Sequence, residues 1–243
     1  LKRILNEKLL KAKAIFGLFP ANSVGDDDIE IRYKENSEEK TKVFRTLRQQ
    51  LKKHGDQANF ALADFIAPRE SKIQDYLGCF CVTTGFGTEE LAAKFEKDHD
   101  DYNSIMVKAL ADRLAEAFAE YLHKEVRSRH WGYSADEDLS NEELIKENYK
   151  GIRPAPGYPA CPDHLEKISI WDVLQVEKRI GVKLTESLAM WPASSVSGYY
   201  FANPQARYFG VGKIKDDQVK DFAARKGISE EKARKWLNPN IAD

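Results

Sequence analysis

The strongest helical pattern in the chain is residues 101–129, DYNSIMVKALADRLAEAFAEYLHKEVRSR. Apolar side chains recur along it at every fourth position, at Met106, Leu110, Leu114, Phe118 and Leu122. Because residues four apart share one face of a helix, we predict that this stripe, broadened by Ala117 and Tyr121, packs on the core. At 1.5 Å per residue the helix would extend roughly 40 Å and form the spine of the molecule.

On either side of this helix the pattern predicts both strands and helices. Short apolar or alternating runs predict strands at 14–20, 29–33, 59–66, 76–83, 184–190, 198–202 and 208–214. Helical spacing and capping residues predict helices at 1–13, 140–151, 169–181, 217–226 and 229–237. Because strands and helices do not alternate regularly, we predict an α+β fold with a mainly antiparallel sheet. The chain shows no internal repeat and no low-complexity linker, which favours one domain over residues 1–243.

Composition excludes several classes of protein. With 38 Lys and Arg against 39 Asp and Glu, the chain lacks the basic surplus expected of a nucleic-acid-binding protein. The sequence contains no run of about 18 apolar residues, so it predicts no membrane span. Three cysteines are too few for a disulfide framework, so we expect a reducing, cytoplasmic location. The chain lacks an initiator Met and begins within a helical pattern, so we expect it to be a piece of a longer chain.

The most unusual stretch is residues 151–164, GIRPAPGYPACPDH, which we call the proline-rich segment. Its four prolines forbid a helix and stiffen the backbone into an extended path, and Gly157 permits either close approach or a positive φ. Arg153 and Tyr158 are therefore expected on a rigid support, where a guanidinium is suited to binding a carboxylate. A structural crossover, with Arg153 paired to a surface acid, is an equally good interpretation of the spacing alone.

Other candidate groups are weaker. Cys161 and His164 could form a metal pair but lack the further ligands that zinc needs. Cys79 and Cys81 lie in an apolar run and are predicted to be buried, inert thiols. The residues 84–89, TGFGTE, lack the full pattern of a phosphate loop and predict a simple turn from strand to helix. His54, His99, His123 and His130 are predicted to lie at the surface.

Two further groups leave alternatives open. Asp112, Glu116 and Glu120 repeat every fourth residue on the long helix, which indicates either a solvated face or a site for a cation or a partner's imidazole. The pairs 199–200 (Tyr-Tyr) and 208–209 (Tyr-Phe) are predicted on paired strands. Such aromatics either pack across strands or flank a flat ligand ring such as adenine.

Most of the proline-rich segment, residues 153–164 (RPAPGYPACPDH), closely resembles the activation domain of cobalamin-dependent methionine synthases. Further stretches resemble the same family in order: 17–22 (GLFPAN), 62–65 (LADF), 99–103 (HDDYN), 108–118 (KALADRLAEAF), 184–187 (LTES) and 190–192 (MWP). The resemblance covers essentially the whole chain. It implies a single arched α+β domain with a twisted, mainly antiparallel sheet and long flanking helices, truncated at its N-terminal side.

The resemblance also implies a function. The family's domain binds S-adenosyl-L-methionine (AdoMet) and supports the reductive methylation of inactive cob(II)alamin to methylcobalamin. Its partners are a cobalamin-binding (vitamin B12) module, absent from this chain, and a flavodoxin-type electron donor. We therefore expect a module of a methyltransferase of methionine biosynthesis that is inactive in isolation. The alternative is a non-catalytic docking module that caps the cobalamin domain and recruits the electron donor.

Site residues are implied by the same resemblance. Arg153 resembles the family's arginine for the methionine carboxylate of AdoMet, and Ala155 and Tyr158 resemble ligand contacts of the same loop. Tyr208 and Phe209 lie at the family's aromatic pair. The resemblance also implies roles for two acids on the long helix. Glu116 is expected near the ligand's positive sulfonium, and Asp112 is expected to face the cobalamin module and its displaced histidine. No metal ligand, catalytic residue or general base is expected on this domain.

Overall fold

The computed structural model describes residues 1–55 and 57–242. Its helices and strands follow one another as α1 (Lys2–Glu7), β1 (Lys11–Val24), β2 (Asp28–Glu35), β3 (Glu38–Arg45), β4 (Asp75–Phe86), α2 (Thr88–Lys97), α3 (Asp101–Glu125), α4 (Asn141–Ile145), α5 (Glu166–Leu174), α6 (Val176–Ile180), β5 (Lys183–Leu184), β6 (Met190–Trp191), β7 (Ser195–Tyr200), α7 (Asp216–Lys226) and α8 (Glu230–Leu237). A π-helical turn, Val126–His130, continues α3.

The main sheet has five strands in the order β3-β2-β1-β4-β7 and is antiparallel. β1 pairs with β2 from Ala21↔Ile31 to Val24↔Asp28, and β2 pairs with β3 along its whole length. The short strands β5 and β6 form a separate antiparallel pair. The predicted α+β class and antiparallel sheet are confirmed. Within residues 1–55 and 57–242, no helix is both long and apolar enough to cross a membrane.

The chain divides into two compact units. Unit 1 consists of Leu1–Phe16, Phe80–Tyr149 and Leu174–Ser197, and contains α2 and α3, which pack together around buried Leu91, Ala92 and Val107. Unit 2 consists of Gly17–Cys79, Lys150–Val173 and Gly198–Asp243. It contains the proline-rich segment and a core in which α7 and α8 pack together. The prediction of one domain over residues 1–243 stays a prediction.

The first strand is longer than predicted. Only Lys2–Glu7 is helical, and β1 then runs from Lys11 through Pro20 to Val24. The expectation that Pro20 ends the strand is wrong because proline's fixed φ is compatible with extended backbone and costs the ladder a single N–H donor. The pairing of β1 with β2 begins at the next residue, Ala21.

Several predicted strands and helix ends are also corrected. Within residues 59–66 there is no strand: Leu62–Phe65 form a 3-10 helix with Leu62, Ala63 and Phe65 buried, and the Asp64 carboxylate accepts the Ala61 N–H (2.9 Å). Instead of one strand over 184–190, residues 185–189 form the loop of a tight hairpin between β5 and β6, and residues 208–213 have no ladder. The helix that begins with the Ser140 capping box ends at Ile145, not at Gly151. Local apolarity predicted burial at these places, but burial does not require a strand.

The long helix is confirmed, and its predicted buried stripe is partly right: Leu122 is buried, and Leu110, Leu114 and Phe118 are half-buried at the edge of the buried face. Small residues, together with Leu122 and His123, line the buried face of α3: Ser104, Val107, Ala111, Ala115, Ala119, Leu122 and His123. Met106 and Tyr121, from the predicted stripe, are exposed. A line of alanines lets neighbouring backbone approach closely, and the Thr84 hydroxyl of β4 donates to the Ala111 carbonyl (2.6 Å). The alanine face of α3 is therefore the one that β4 contacts directly.

The alanine face of α3 predicts a position-dependent cost of adding volume. Ala119 is fully buried and Ala117 is exposed on the same helix. Ala119→Leu should lower the free energy of unfolding by about 1–3 kcal/mol, because a well-packed interior has no room for extra methylenes. Ala117→Leu, the matched control, should change it by less than about 0.5 kcal/mol. Denaturant unfolding of both variants checks this, and equal stabilities would contradict the assigned face.

Candidate ligand-binding site

The proline-rich segment is held at its start by backbone hydrogen bonds to the residues around the end of β7. The Ile152 N–H donates to the Phe201 carbonyl (3.0 Å), and the Phe201 N–H donates back to the Ile152 carbonyl (3.1 Å). The Pro154 carbonyl accepts the Tyr199 N–H (2.9 Å). Arg153 lies between these two anchor points and is partly exposed, whereas Ile152 is buried. Because side chains alternate along extended backbone, Arg153 and Ile152 point to opposite sides.

The middle of the segment is a tight turn. The Gly157 N–H donates to the Cys161 carbonyl (2.7 Å), and the Cys161 N–H donates to the Tyr158 carbonyl (2.9 Å). Gly157 has a φ of +94°, as predicted, and a Cβ there would lie 2.2 Å from Cε1 of His164. Burial lowers the pKa of His164, which favours the neutral imidazole against the glycine. The turn leaves Tyr158 64% exposed.

Buried charges hold the end of the segment. Nζ of Lys226, at the end of α7, pairs with Oδ2 of Asp163 (2.8 Å) and with the Glu166 carboxylate at the start of α5. Asp163 also accepts the Leu165 N–H (2.9 Å), and Glu166 accepts the Arg45 N–H (3.1 Å). Burial raises the pKa of Glu166, and the two carboxylates raise the pKa of Lys226 against the effect of its own burial. Removing one partner of such a group leaves an uncompensated buried charge.

Residues 208–211, which we call the aromatic segment, lie against the proline-rich segment. The Arg153 N–H donates to the Tyr208 hydroxyl (3.0 Å), and the Val211 N–H donates to the Pro159 carbonyl (2.8 Å). Tyr208 remains 44% exposed. These bonds fix the aromatic segment beside Arg153 without any strand pairing, so the predicted strand at 208–214 is replaced by contacts to individual groups.

Phe209 serves as the anchor of the aromatic segment. Its ring centroid lies 6.2 Å from that of Phe60 and 6.3 Å from that of Phe65. It also packs on the buried core that contains Val211 and Leu47. With its ring engaged in this packing, Phe209 holds the backbone of Tyr208 in place.

The structure brings together five of the six predicted ligand residues within unit 2: Arg153, Ala155, Tyr158, Tyr208 and Phe209. The Ala155 carbonyl accepts the Tyr158 N–H (3.2 Å), so Ala155 belongs to the same turn. Glu116 is exposed on α3 and belongs to unit 1. The ligand-binding roles of all six stay predictions.

Asp112, one turn before Glu116 on α3, is held in a defined orientation. The Ser194 hydroxyl donates to Oδ1 of Asp112 (2.6 Å). Ser194 is itself fixed, because its carbonyl accepts the Thr84 N–H (3.0 Å) and the Thr83 hydroxyl (3.1 Å). An exposed residue therefore carries a carboxylate whose rotamer is set by a buried hydroxyl.

The sequence profile of one protein family, described as "Vitamin B12 dependent methionine synthase, activation domain", matches residues 1–227. The chain belongs to this family. A crystal structure of the MetH reactivation domain bound to AdoHcy is similar to this activation domain, with 57% sequence identity and a TM-score of 0.95. The similarity covers 100% of this chain and 74% of that chain. The family resemblance drawn from the sequence is confirmed.

Cys79 and Cys81 of the activation domain are buried as predicted, whereas one histidine is not at its predicted surface position. Cys79, Cys81 and Cys161 are buried and unpaired in disulfides. His123 is fully buried on α3, with its ring 5.0 Å from that of Tyr149, so its predicted surface position is wrong. No group of three or more His, Cys, Asp or Glu side chains within the described part of the chain is placed to hold a metal ion.

The supports of the site were missed by sequence reasoning. Lys226 lies 60 residues from Glu166 in sequence, and no local pattern links the two. Asp163 lies in the quoted motif, but only the fold shows that it is buried and paired. The sequence predicts Tyr208 only as part of an aromatic pair, and the structure adds that its hydroxyl accepts the Arg153 N–H. Spacing along a chain reveals neighbours on one element and cannot reveal such long-range partners.

The turn at Gly157 makes a side chain there costly. Gly157→Ala should lower the free energy of unfolding by about 2–4 kcal/mol, from left-handed backbone strain together with the clash on His164. Gly132→Ala is the control, because Gly132 has a φ of +76° but nothing within 4 Å of the added Cβ. It should cost only about 1–2 kcal/mol. Equal losses in urea unfolding would remove the His164 contact as a cause.

The buried thiols should resist alkylation. Burial raises the pKa of Cys81 to about 12 and raises those of Cys79 and Cys161 further above the ordinary value. Because the thiolate is the nucleophile, iodoacetamide at pH 8 should leave the native domain unlabelled. In guanidinium chloride all three cysteines should react, as counted by mass spectrometry. Rapid labelling of the native protein would show that a thiol is accessible.

Proposed function

We propose that this activation domain binds AdoMet and supports the reductive methylation of cob(II)alamin to methylcobalamin, which reactivates methionine synthase. The similar MetH reactivation domain was crystallised with AdoHcy, which is AdoMet without the methyl group it transfers. A site for one therefore suits the other. The observation that carries the proposal is Arg153, held on a rigid segment beside an exposed tyrosine.

Arg153 is the residue that would bind the amino-acid end of the ligand. Backbone bonds at Ile152 and Pro154 fix its main chain on both sides, and its own N–H is fixed by the Tyr208 hydroxyl. A guanidinium makes two parallel hydrogen bonds to a carboxylate. Because the backbone is already ordered, little conformational entropy is lost when the carboxylate binds.

The aromatic segment and the turn would bind the adenosyl end. Tyr208 and Tyr158 expose large aromatic surfaces, which suit a flat purine ring. Ala155 contributes a small side chain to the same turn, and the Phe209 ring, packed against Phe60, holds the segment's backbone in position. For Glu116, on α3, the support is the family resemblance alone, which implies a negative charge for the ligand's sulfonium.

AdoMet, when bound, supplies the methyl group, and a flavodoxin-type donor supplies the one electron that cob(II)alamin lacks. The residues of this domain bind and orient the ligand, and no proton transfer requires a general base here. Cobalamin is bound by a neighbouring module of the same full-length protein. We propose that the protein is cytoplasmic and acts in methionine biosynthesis, and that the domain alone has no turnover.

A second function is favoured by Asp112. Its carboxylate, oriented by Ser194, lies at an exposed position on α3 and is suited to accept an N–H from an imidazole of the cobalamin module. A docking module that caps the cobalamin module and recruits the electron donor, and does not bind AdoMet, would need only this face of α3. Titration calorimetry with AdoMet separates the two functions, because heat that saturates at one site per chain supports the first and absence of heat supports the second.

Replacing Arg153 should weaken AdoMet binding strongly. Arg153→Ala removes a charged hydrogen bond, worth about 1.5–3 kcal/mol, and should raise the dissociation constant roughly 10- to 150-fold. Arg129→Ala is the control, because Arg129 is exposed and pairs with Glu125, one helical turn earlier on its own helix. Its dissociation constant should stay within about 2-fold of wild type. An unchanged affinity in Arg153→Ala would remove this arginine from the site.

A further inference from the structure

Gln49 is a buried amide in the irregular chain that follows β3. It is 7% exposed, and every polar atom of its side chain has a partner. Nε2 donates to the Gly210 carbonyl (2.8 Å). Oε1 accepts from the Phe60 N–H (3.1 Å) and from Nζ of Lys53 (2.7 Å). A buried amide must be paired in this way, so its partners show which parts of the chain it joins.

One of those partners belongs to the aromatic segment. Gly210 directly follows the Tyr208–Phe209 pair, and this stretch has no strand ladder to satisfy its carbonyl. Leu47 and Val211 share one buried core, and the Leu51 side chain lies 3.3 Å from where a Cβ of Gly212 would be. The residues around Gln49 therefore run alongside the residues around Gly210, and Gln49 supplies the side-chain hydrogen bond between them.

The other end of the same amide holds Phe60. Phe60 N–H is bound by Oε1 of Gln49, and the Phe60 ring lies 6.2 Å from the Phe209 ring. The guanidinium of Arg207, the residue before the pair, stacks 4.4 Å above the same ring. One buried side chain thus fixes both the backbone after the aromatic pair and the ring against which the pair packs.

We propose that Gln49 is a positioning residue for the ligand site, which holds the Tyr208–Phe209 backbone where the adenosyl group binds. This inference rests on the proposed AdoMet-binding function. Gln49 does not itself belong to the predicted set of ligand contacts. It acts through Gly210, because a shift of that carbonyl moves the two residues before it. A displacement of a few tenths of an ångström in a preorganised site costs affinity without unfolding the protein.

The test uses Gln49→Glu and Gln49→Met in the full-length protein, with AdoHcy as the probe. Gln49→Glu keeps the size of the side chain and its contacts to Phe60 and Lys53, but sets an oxygen against the Gly210 carbonyl. Gln49→Met keeps the length and is neutral, and it serves if the charged variant does not fold. Each should raise the AdoHcy dissociation constant about 5-fold or more, because a buried carbonyl loses its donor.

Lys53→Met is the matched control. It removes a contact to Oε1 of Gln49 but leaves the bond from Nε2 to Gly210, so affinity should stay within about 2-fold of wild type. Calorimetry is run below the melting temperature of every variant, and the number of sites per chain is fitted together with the affinity. A merely structural role would lower the melting temperature, or the number of sites, and leave the affinity of the folded protein unchanged.

The outcomes separate this inference from the function on which it rests. Weakened AdoHcy binding with a full number of sites in the Gln49 variants, and not in Lys53→Met, supports the inference. Wild-type affinity in the Gln49 variants overturns it and leaves the AdoMet-binding function standing. If the wild-type protein binds no AdoHcy, both the proposed function and the inference are overturned before any variant is measured.

Discussion

The site depends on how a backbone with four prolines satisfies its remaining hydrogen-bonding groups. Proline offers a carbonyl and no N–H, so the proline-rich segment can accept hydrogen bonds but can hardly take part in a regular ladder. Neighbouring chain therefore donates to it: Tyr199 to the Pro154 carbonyl and Val211 to the Pro159 carbonyl. These two hydrogen bonds hold the end of β7 and the aromatic segment against the stiff proline-rich segment, which carries Arg153.

Hydrogen bonds and ion pairs from single side chains hold the rest of the site, because the aromatic segment has no strand partner. The Tyr208 hydroxyl binds the Arg153 N–H, the Gln49 amide binds the Gly210 carbonyl, and Lys226 pairs with two buried carboxylates at the end of the segment. Each of these groups lies far along the chain from the group it binds. An irregular segment supported in this way is ordered before a ligand arrives, which lowers the entropic cost of binding.

Sequence patterns predicted features that depend on one helix or strand alone. They failed for features that depend on which other part of the chain packs against it. The period of α3 predicts a helix, yet any helix with apolar residues on two faces leaves open which face is buried. The large residues formed the more obvious stripe, but the alanines are buried, since Thr84 of β4 approaches as far as the Ala111 carbonyl. Residues 59–66 and 208–214 were likewise predicted to be buried strands, and their apolar side chains pack instead on turns and irregular backbone.

The sequence by itself determined the α+β class, the long helix, the closing helices, the stiff proline path in which Gly157 permits a positive φ, and the family to which the chain belongs. These follow from short-range rules of periodicity, capping and proline geometry, and from a long motif that resembles one family. Only the tertiary structure decided which face of α3 is buried, that Ser194 orients Asp112, and that Gln49 and Lys226 support the site. Those are contacts between residues tens to more than a hundred positions apart, and their formation depends on the packing of the whole chain.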